Sequence, residues 1–536
     1  MLKPDFIIKN AVIHTMDGNL NNSEALAVKD GRFAAVGGNL DIANLIDPDV
    51  KVIDAEGRTL LPGFNDAHCH LLSLRGKQLL QADCSPARVK NIADIIWILK
   101  AEAAKTPPGE WILGGSYDFS KLEEGRHPLR SELDLVSDKH PVHLRSQTCH
   151  CGVVNSKAFE VAGVTEDIDN PPGGEFGRDV HGRLNGLCLE EAHFMFVTGM
   201  GCEGSFVPSY TTAQLIEAVD LSCRETASFG ITSVGDGLIG PPEIEAFQAS
   251  LSDGKLSCRV YMNVLENYLP RLKALGVKTG FGSDMLRFGA VKSFVDGAIA
   301  AHTAWLKDDY AHRPGYHGIP TKSPEDTESL VLDAHSNGYQ MEIHANGDMA
   351  IDMVLTAVEK AQNRFPERNL RHRIAHCTVI NQSLLGRIKA AGVIPLPFTT
   401  YVWEHGEKMP VYGDRIEMMF AHRSFLDAGV KVAASSDNPC GMQDVMTAVQ
   451  AMVTRQSSGG LPIGTSQKIS VEQALWIYTM GGAYSTFEEK FKGSIETGKL
   501  ADFVILDDDP SSVDPFAIRD IKVCETWLGG NLIFQA

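Results

Sequence analysis

The segment LPGFNDAHCHLL, residues 61–72, sets His68 and His70 two positions apart, directly after an apolar run that opens with Pro-Gly. In an extended strand residues i and i+2 share a face, so both imidazoles leave one strand end side by side, within reach of a single metal ion. Taken alone, a His-x-His pair fits a core or a surface equally well. Four further residues change the balance: Lys292 in VKSFVDG, His344 in EIHANGD, His376 in RIAHC and Asp437 in SSDNP. Singly these have ordinary explanations, as core histidines, a capping aspartate or a lysine reaching for solvent. Together at one site they are ligands and acid–base groups.

Such a site needs elements that bring residues 68 to 437 together. From about residue 211 helical stretches alternate with short apolar strands. The strands read as ITSVGDG, LSCRVYMNVLE, LRFGAVKSFVDG, YQMEIHANGD, HRIAHC, VIPLPF and VKVAASSDNP, each preceded by a helical run. With the strand ending at His68 and His70 they make eight, and repeated alternation implies a parallel sheet. Eight units predict an α/β fold of the (β/α)8 TIM-like barrel type, with a doubly wound open sheet as competitor. Barrel active sites lie at the C-terminal ends of the strands. There strand one offers His68 and His70, strand four Lys292, strand five His344, strand six His376 and strand eight Asp437.

The flanks have another rhythm. Residues 1–60 and 470–536 are rich in short β-branched runs punctuated by Asp-Gly and Gly-Gly, a hairpin signal. They predict a composite β-sandwich domain built from both termini. Residues 61–72 and 206–469 would form the barrel, and 73–205 an insertion after its first strand that covers the mouth. The formal charge of −19 over 536 residues argues against nucleic acid or an anionic membrane as partner. Eleven scattered cysteines show no paired framework, which suits reduced thiols. The N-terminus lacks the apolar block of a signal peptide, and no apolar run reaches membrane-spanning length, so a cytoplasmic location is expected.

The segments PGFNDAHCHLL, VKSFVDG, IHANGDMAID, RHRIAHC and SSDNP, in this order, resemble the metal-binding segments of the amidohydrolase superfamily. More narrowly they are similar to the branch that includes N-substituted formamide deformylase. The resemblance continues through NSKAFEVAGV and GGEFGRDVHGRLNG to GSIETGKLADFVILDDDP. It implies that His68, His70 and Asp437 hold one metal and His344 and His376 a second, with zinc the default and Mn, Fe, Co or Ni possible. Lys292 matches a position that many relatives carboxylate with CO2. An unmodified lysine is a cation with pKa about 10.4, whereas a carbamate is an anion able to bridge metals about 3.5–4 Å apart. Metal-activated hydroxide would then attack a non-peptide C–N bond, with Asp437 shuttling the proton to the leaving nitrogen.

Substrate contacts are expected from His150 in the insertion, from His302 and Trp305 after strand four, and from Tyr401 and Trp403 after strand seven. His302 stands where the family often has Arg, and Ala375 where Glu is common before the strand-six histidine. Asp348 is expected to orient the His344 loop, and Cys69 to point into the core. The substrate reading is an amide, N-acyl, N-formyl or carbamate of a small, possibly aromatic molecule, in an enzyme that is a dimer if it oligomerises. The alternatives are an aminohydrolase of a cyclic C=N substrate and a non-catalytic binding or regulatory protein on the same scaffold.

Overall fold

The computed structural model describes residues 3–18, 22–197, 205–366 and 369–536. At its centre seven parallel strands lie side by side in chain order: Phe64–Cys69, Ile231–Ile239, Arg259–Leu265, Leu286–Phe294, Met341–Ala345, Arg373–His376 and Ile394–Leu396. Their residues are buried almost without interruption, as expected of strands covered on both sides. Helices return the chain between strands, and local chemistry sets their ends. Thr211 and Gln214 form a capping box on Thr212–Ser228, Ser323 caps Pro324–Ser336, and Gly392 closes Gln382–Ala391 in the left-handed conformation.

The eighth strand is not a regular strand. Residues 430–437 occupy its place as an extended segment with one parallel bridge, Phe398 to Ser435. The Ala67 N–H donates to the Ala434 carbonyl at 3.0 Å and the Thr399 N–H to the Ser435 carbonyl at 3.0 Å, so the segment joins the first strand to the chain beyond the seventh. It stops short of a ladder because Ser436 and Asp437 turn out of register, Asp437 with φ 57°. The ring is nearly closed, as a TIM-like barrel requires.

Both termini build two smaller sheets. One has four strands, all from the first 54 residues. The other has six, in which Thr59–Pro62 lies between Val12–His14 and Phe503–Leu506. Phe6, Leu26, Phe33, Leu60, Phe503 and Trp527 share one apolar cluster across the two. A further six-stranded sheet spans residues 82–190, with the helix Ile92–Ala103 packed on it through Ile95 and Leu99. Residues 198–204, near the end of the expected insertion, lie outside the described residues.

Candidate metal centre

His68 is the fifth residue of the first strand and fully buried; Cys69 faces the apolar core. His70 falls one residue past the strand end, with φ −128° and ψ 64°, yet its ring still comes beside that of His68, centroids 5.1 Å apart. Both Nε2 atoms approach one oxygen, Asp437 Oδ1, at 3.1 and 3.2 Å, without the angles of a hydrogen bond. His376 Nε2 lies 3.0 Å from His344 Nδ1, and the rings of His68 and His376 are 5.2 Å apart. His68, His376 and Asp437 each present a ligand atom within 4.8 Å of the others. The Lys292 amine is fully buried, makes no hydrogen bond, and lines a cavity of about 200 Å³. His68, His70, His344, His376 and Asp437 thus cluster at the barrel mouth, and Lys292 is tied to them through Glu342, which lies 3.5 Å from its Nζ and 2.9 Å from His68 Nδ1.

The electrostatics suit ligation. Burial drives the His344 and His376 pKa values well below the ordinary histidine value, leaving them neutral as metal ligands must be. Asp437 is the reverse case. Burial opposes its charge, but His376, His68 and His70 outweigh that and hold the carboxyl well below its usual range. Burial also lowers the pKa of Lys292. The converging nitrogens of His68 and His376 and the Asp437 oxygen, with His68 Nε2, His376 Nδ1 and Asp437 Oδ1 free of hydrogen-bond partners, form a donor set that fits a divalent cation.

The shell behind these residues is mostly carboxylate, and sequence reasoning missed it. Glu342, two residues before His344, approaches His68 Nδ1 at 2.9 Å, Arg373 Nη2 at 2.7 Å and Lys292 Nζ at 3.5 Å. Burial resists its ionisation, but Arg373, His68 and Lys292 together hold its carboxyl below the usual range. Asp236 on the second strand accepts from the Leu72 N–H and from Ser73 Oγ, itself 3.4 Å from His70 Nδ1; burial pushes its pKa up to about 7. Asp66 accepts the Ser436 N–H at 3.0 Å and so anchors the residue before Asp437. The available signal was alternation: Asp66 and His68, or Glu342 and His344, occupy the same face of a strand.

The expected substrate contacts divide. His150 lines the cavity, its Nδ1 2.7 Å from Glu190, while Glu190 accepts from Thr303 Oγ1 at 2.7 Å. Tyr401 stacks on Phe398 at 3.6 Å, and Phe398 stacks on His376 at 4.2 Å, which puts Tyr401 one ring behind the site. The other three do not line this cavity. His302 joins Tyr310, His312 and Tyr412 in an aromatic cluster, where burial takes its pKa down to about 4. Trp305 packs on the main apolar core, and Trp403 lies under the Arg519 guanidinium at 4.8 Å. These rings find aromatic or apolar neighbours, or a cation, close to hand. Asp348 also differs from expectation: it accepts the Lys307 N–H, while Asp296 takes the Asn346 and Gly347 N–H groups and so holds the His344 loop.

With this geometry in view, a family-level sequence model described as the amidohydrolase family matches residues 51–534. The chain belongs to the amidohydrolase family. This amidohydrolase is 29% identical to N-substituted formamide deformylase of Arthrobacter pascens, over 99% of this chain and 98% of that protein. It is 27% identical to the putative amidohydrolase YtcJ of Bacillus subtilis, over 98% of each. Among solved structures, an uncharacterized metal-dependent hydrolase of Pyrococcus horikoshii superposes with a TM-score of 0.77 at 23% identity, covering 95% of this chain and 99% of its own. The amidohydrolase is a hydrolase, and a candidate His/Asp metal site stands at its barrel mouth.

Proposed function

We propose that this amidohydrolase uses a divalent metal centre to hydrolyse a non-peptide C–N bond of a small molecule, with an N-formyl or other N-acyl amide as the first substrate class. The observation that carries the reading is the convergence of His68, His376 and Asp437, with His70 on the same Asp437 oxygen and His344 beside His376. His68, His70 and Asp437 would hold one metal, His344 and His376 a second, and a carbamate formed from Lys292 and CO2 would lie between. When bound, such a metal supplies Lewis acidity that makes water nucleophilic near neutral pH and polarises a carbonyl. The chain's own groups do the rest. His68 and His70 share Oδ1 of Asp437, so Oδ2 is the oxygen that takes a proton from water and returns it to the leaving nitrogen. His150, held at Nδ1 by Glu190, turns Nε2 to the substrate carbonyl as a hydrogen-bond donor. Phe194, Leu265 and Phe294 give the cavity an apolar side for the substituent on nitrogen. The resemblance to a formamide deformylase supports the N-formyl choice.

Metal content per chain, measured by elemental analysis on wild type and Lys292→Ala purified without chelator, tests the centre. About two metals, falling to one or none in the variant, is the expected result for a bridging lysine. One metal unchanged by the substitution removes the carbamate, and ammonia release from a ring substrate would replace amide hydrolysis by deamination. A metal-free protein that binds small molecules without turnover would overturn the enzymatic reading of this site.

A further inference from the structure

The cavity over Lys292 has an inner and an outer end of different character. Lys292, Glu190 and Asp296 are buried in its lining, and both acids are already committed. Glu190 serves His150 and Thr303, while Asp296 accepts the N–H groups of Trp305, Asn346 and Gly347. Four other lining residues keep access to solvent and so mark the outer end: Glu191, Glu266 and Lys322 are half-buried and Asn267 is exposed. Phe194, Leu265 and Phe294 complete the lining with apolar surface. A substrate with its reacting amide at the inner end therefore lays the substituent on nitrogen along apolar walls and ends it among charges.

The fold holds those charges in place. Glu266 directly follows the third barrel strand, Arg259–Leu265. Lys322 lies on the segment that returns from the fourth strand, fixed there by the Thr321 N–H donating to the Val295 carbonyl at 3.0 Å. Its Nζ donates to Glu266 Oε1 at 2.7 Å, closing an ion pair across the two strand ends. Glu191 comes from the other side, directly after the insertion strand Leu184–Glu190. Burial and Glu190 raise its pKa, and Lys322 lowers it, so the one ammonium serves both acids. Of the three ionisable residues at the outer end two are acidic and one is basic, which leaves a net charge of −1 there. A carboxylate arriving at this end meets two like charges and one opposite, whereas an ammonium meets the reverse. The Lys322 and Glu266 side chains are 20% and 29% exposed, and a pair so open to water is weakly held and readily shared with an incoming cation.

Resting on the amide-hydrolase reading above, we propose that the substituent on the substrate nitrogen is an apolar body ending in a protonated amine, received between Glu191 and Glu266, and that these two acids turn carboxylate-ended substrates away. The test uses three N-benzylformamides of similar shape, bearing aminomethyl, ethyl or carboxymethyl opposite the amide arm. Their order is read as kcat/KM on wild type and, without need of turnover, as calorimetric Kd on Lys292→Ala. The aminomethyl compound should be favoured over the carboxymethyl one at least about tenfold, with the ethyl compound between. Glu191→Gln and Glu266→Gln should each narrow that gap at least about threefold. Lys322→Met should widen it, and serves if either glutamine variant does not fold. Equal affinity for all three, or none for any, overturns the proposal. Preference for the carboxymethyl compound, lost in Lys322→Met, overturns it too and makes Lys322 the receptor of an anion. A gap unchanged in both glutamine variants places the preference elsewhere and equally sinks it. Wild type that hydrolyses none of the three, while Lys292→Ala keeps the binding order, removes the formamide reading but upholds the charge preference.

Discussion

At the residue scale the centre depends on a few buried acids that never reach the mouth. Glu342 lies 2.9 Å from His68 Nδ1 and so turns the other ring nitrogen toward Asp437. Partners of this kind set the tautomer and direction of a ligand histidine, and their loss costs about 10–100-fold in metal affinity. Glu342→Gln should therefore lower metal retention against a competing chelator by that order, and because buried Arg373 also loses its partner charge the melting temperature should fall as well. His150 is the other decisive residue. Burial works against its charge, but Glu190 at 2.7 Å outweighs it and raises the pKa to about 8. The raised value means the charged donor is complete below the ordinary histidine pKa and is lost as pH rises through about 8. The alkaline limb of kcat/KM should fall there in wild type and move to lower pH in Glu190→Gln. The proposed ligands were readable because each stands in a short motif at or just past the end of a strand or extended segment. Glu342 and Asp66 were hidden because an acid facing inward reads no differently in sequence from one facing water.

At the element scale the site rests on strand ends that leave regular geometry. His376 has φ 73° and Asp437 φ 57°, both in the left-handed region. Such conformations cost about 1–3 kcal/mol each and persist where surroundings over-determine them. Asp66 does this for Asp437, through the Ser436 N–H. The second strand approaches so closely that only glycine fits beside the first pair of ligands. A Cβ at Gly237 would lie 2.9 Å from His70 Cε1 and 3.4 Å from His68 Cε1. Gly237→Ala should push both rings from Asp437, and the purified variant should bind less metal by elemental analysis with the barrel still folded. Alternating helices and strands made the barrel readable in advance. The irregular eighth segment was not, since its conformation follows from neighbours on both sides and not from its own residues.

At the scale of the whole molecule the terminal sheets are tied to the barrel. Arg259 on the third barrel strand grips Asp502 through two 2.7 Å contacts, and Asp502 also accepts the Gly529 N–H at 2.7 Å. Both partners are about 5% exposed. Removing one member of such a pair leaves the other charge uncompensated and costs about 3–5 kcal/mol. Asp502→Ala should lower the melting temperature measurably in differential scanning calorimetry, and unchanged melting would mean that the two parts are not coupled through this pair. The sheet over residues 82–190 meets the mouth from the other side. Its His150 ring lies 5.4 Å from His344, and the Asp118 carboxylate pairs with Lys408 at 3.1 Å.

From sequence alone came the barrel, the β-rich termini and the residues proposed for the metal centre, among them His68, His376 and Asp437, which converge on a candidate metal site. Periodicity reports which faces are buried, and ligand chemistry permits few residue types. Tertiary structure decided what surrounds them. It set Trp403 under Arg519 and Trp305 against the core, and it gave Asp296 the role expected of Asp348. It also brought Glu191, Glu266 and Lys322 to one cavity. The partners of a side chain depend on contacts between residues far apart in the chain, and no local pattern encodes those.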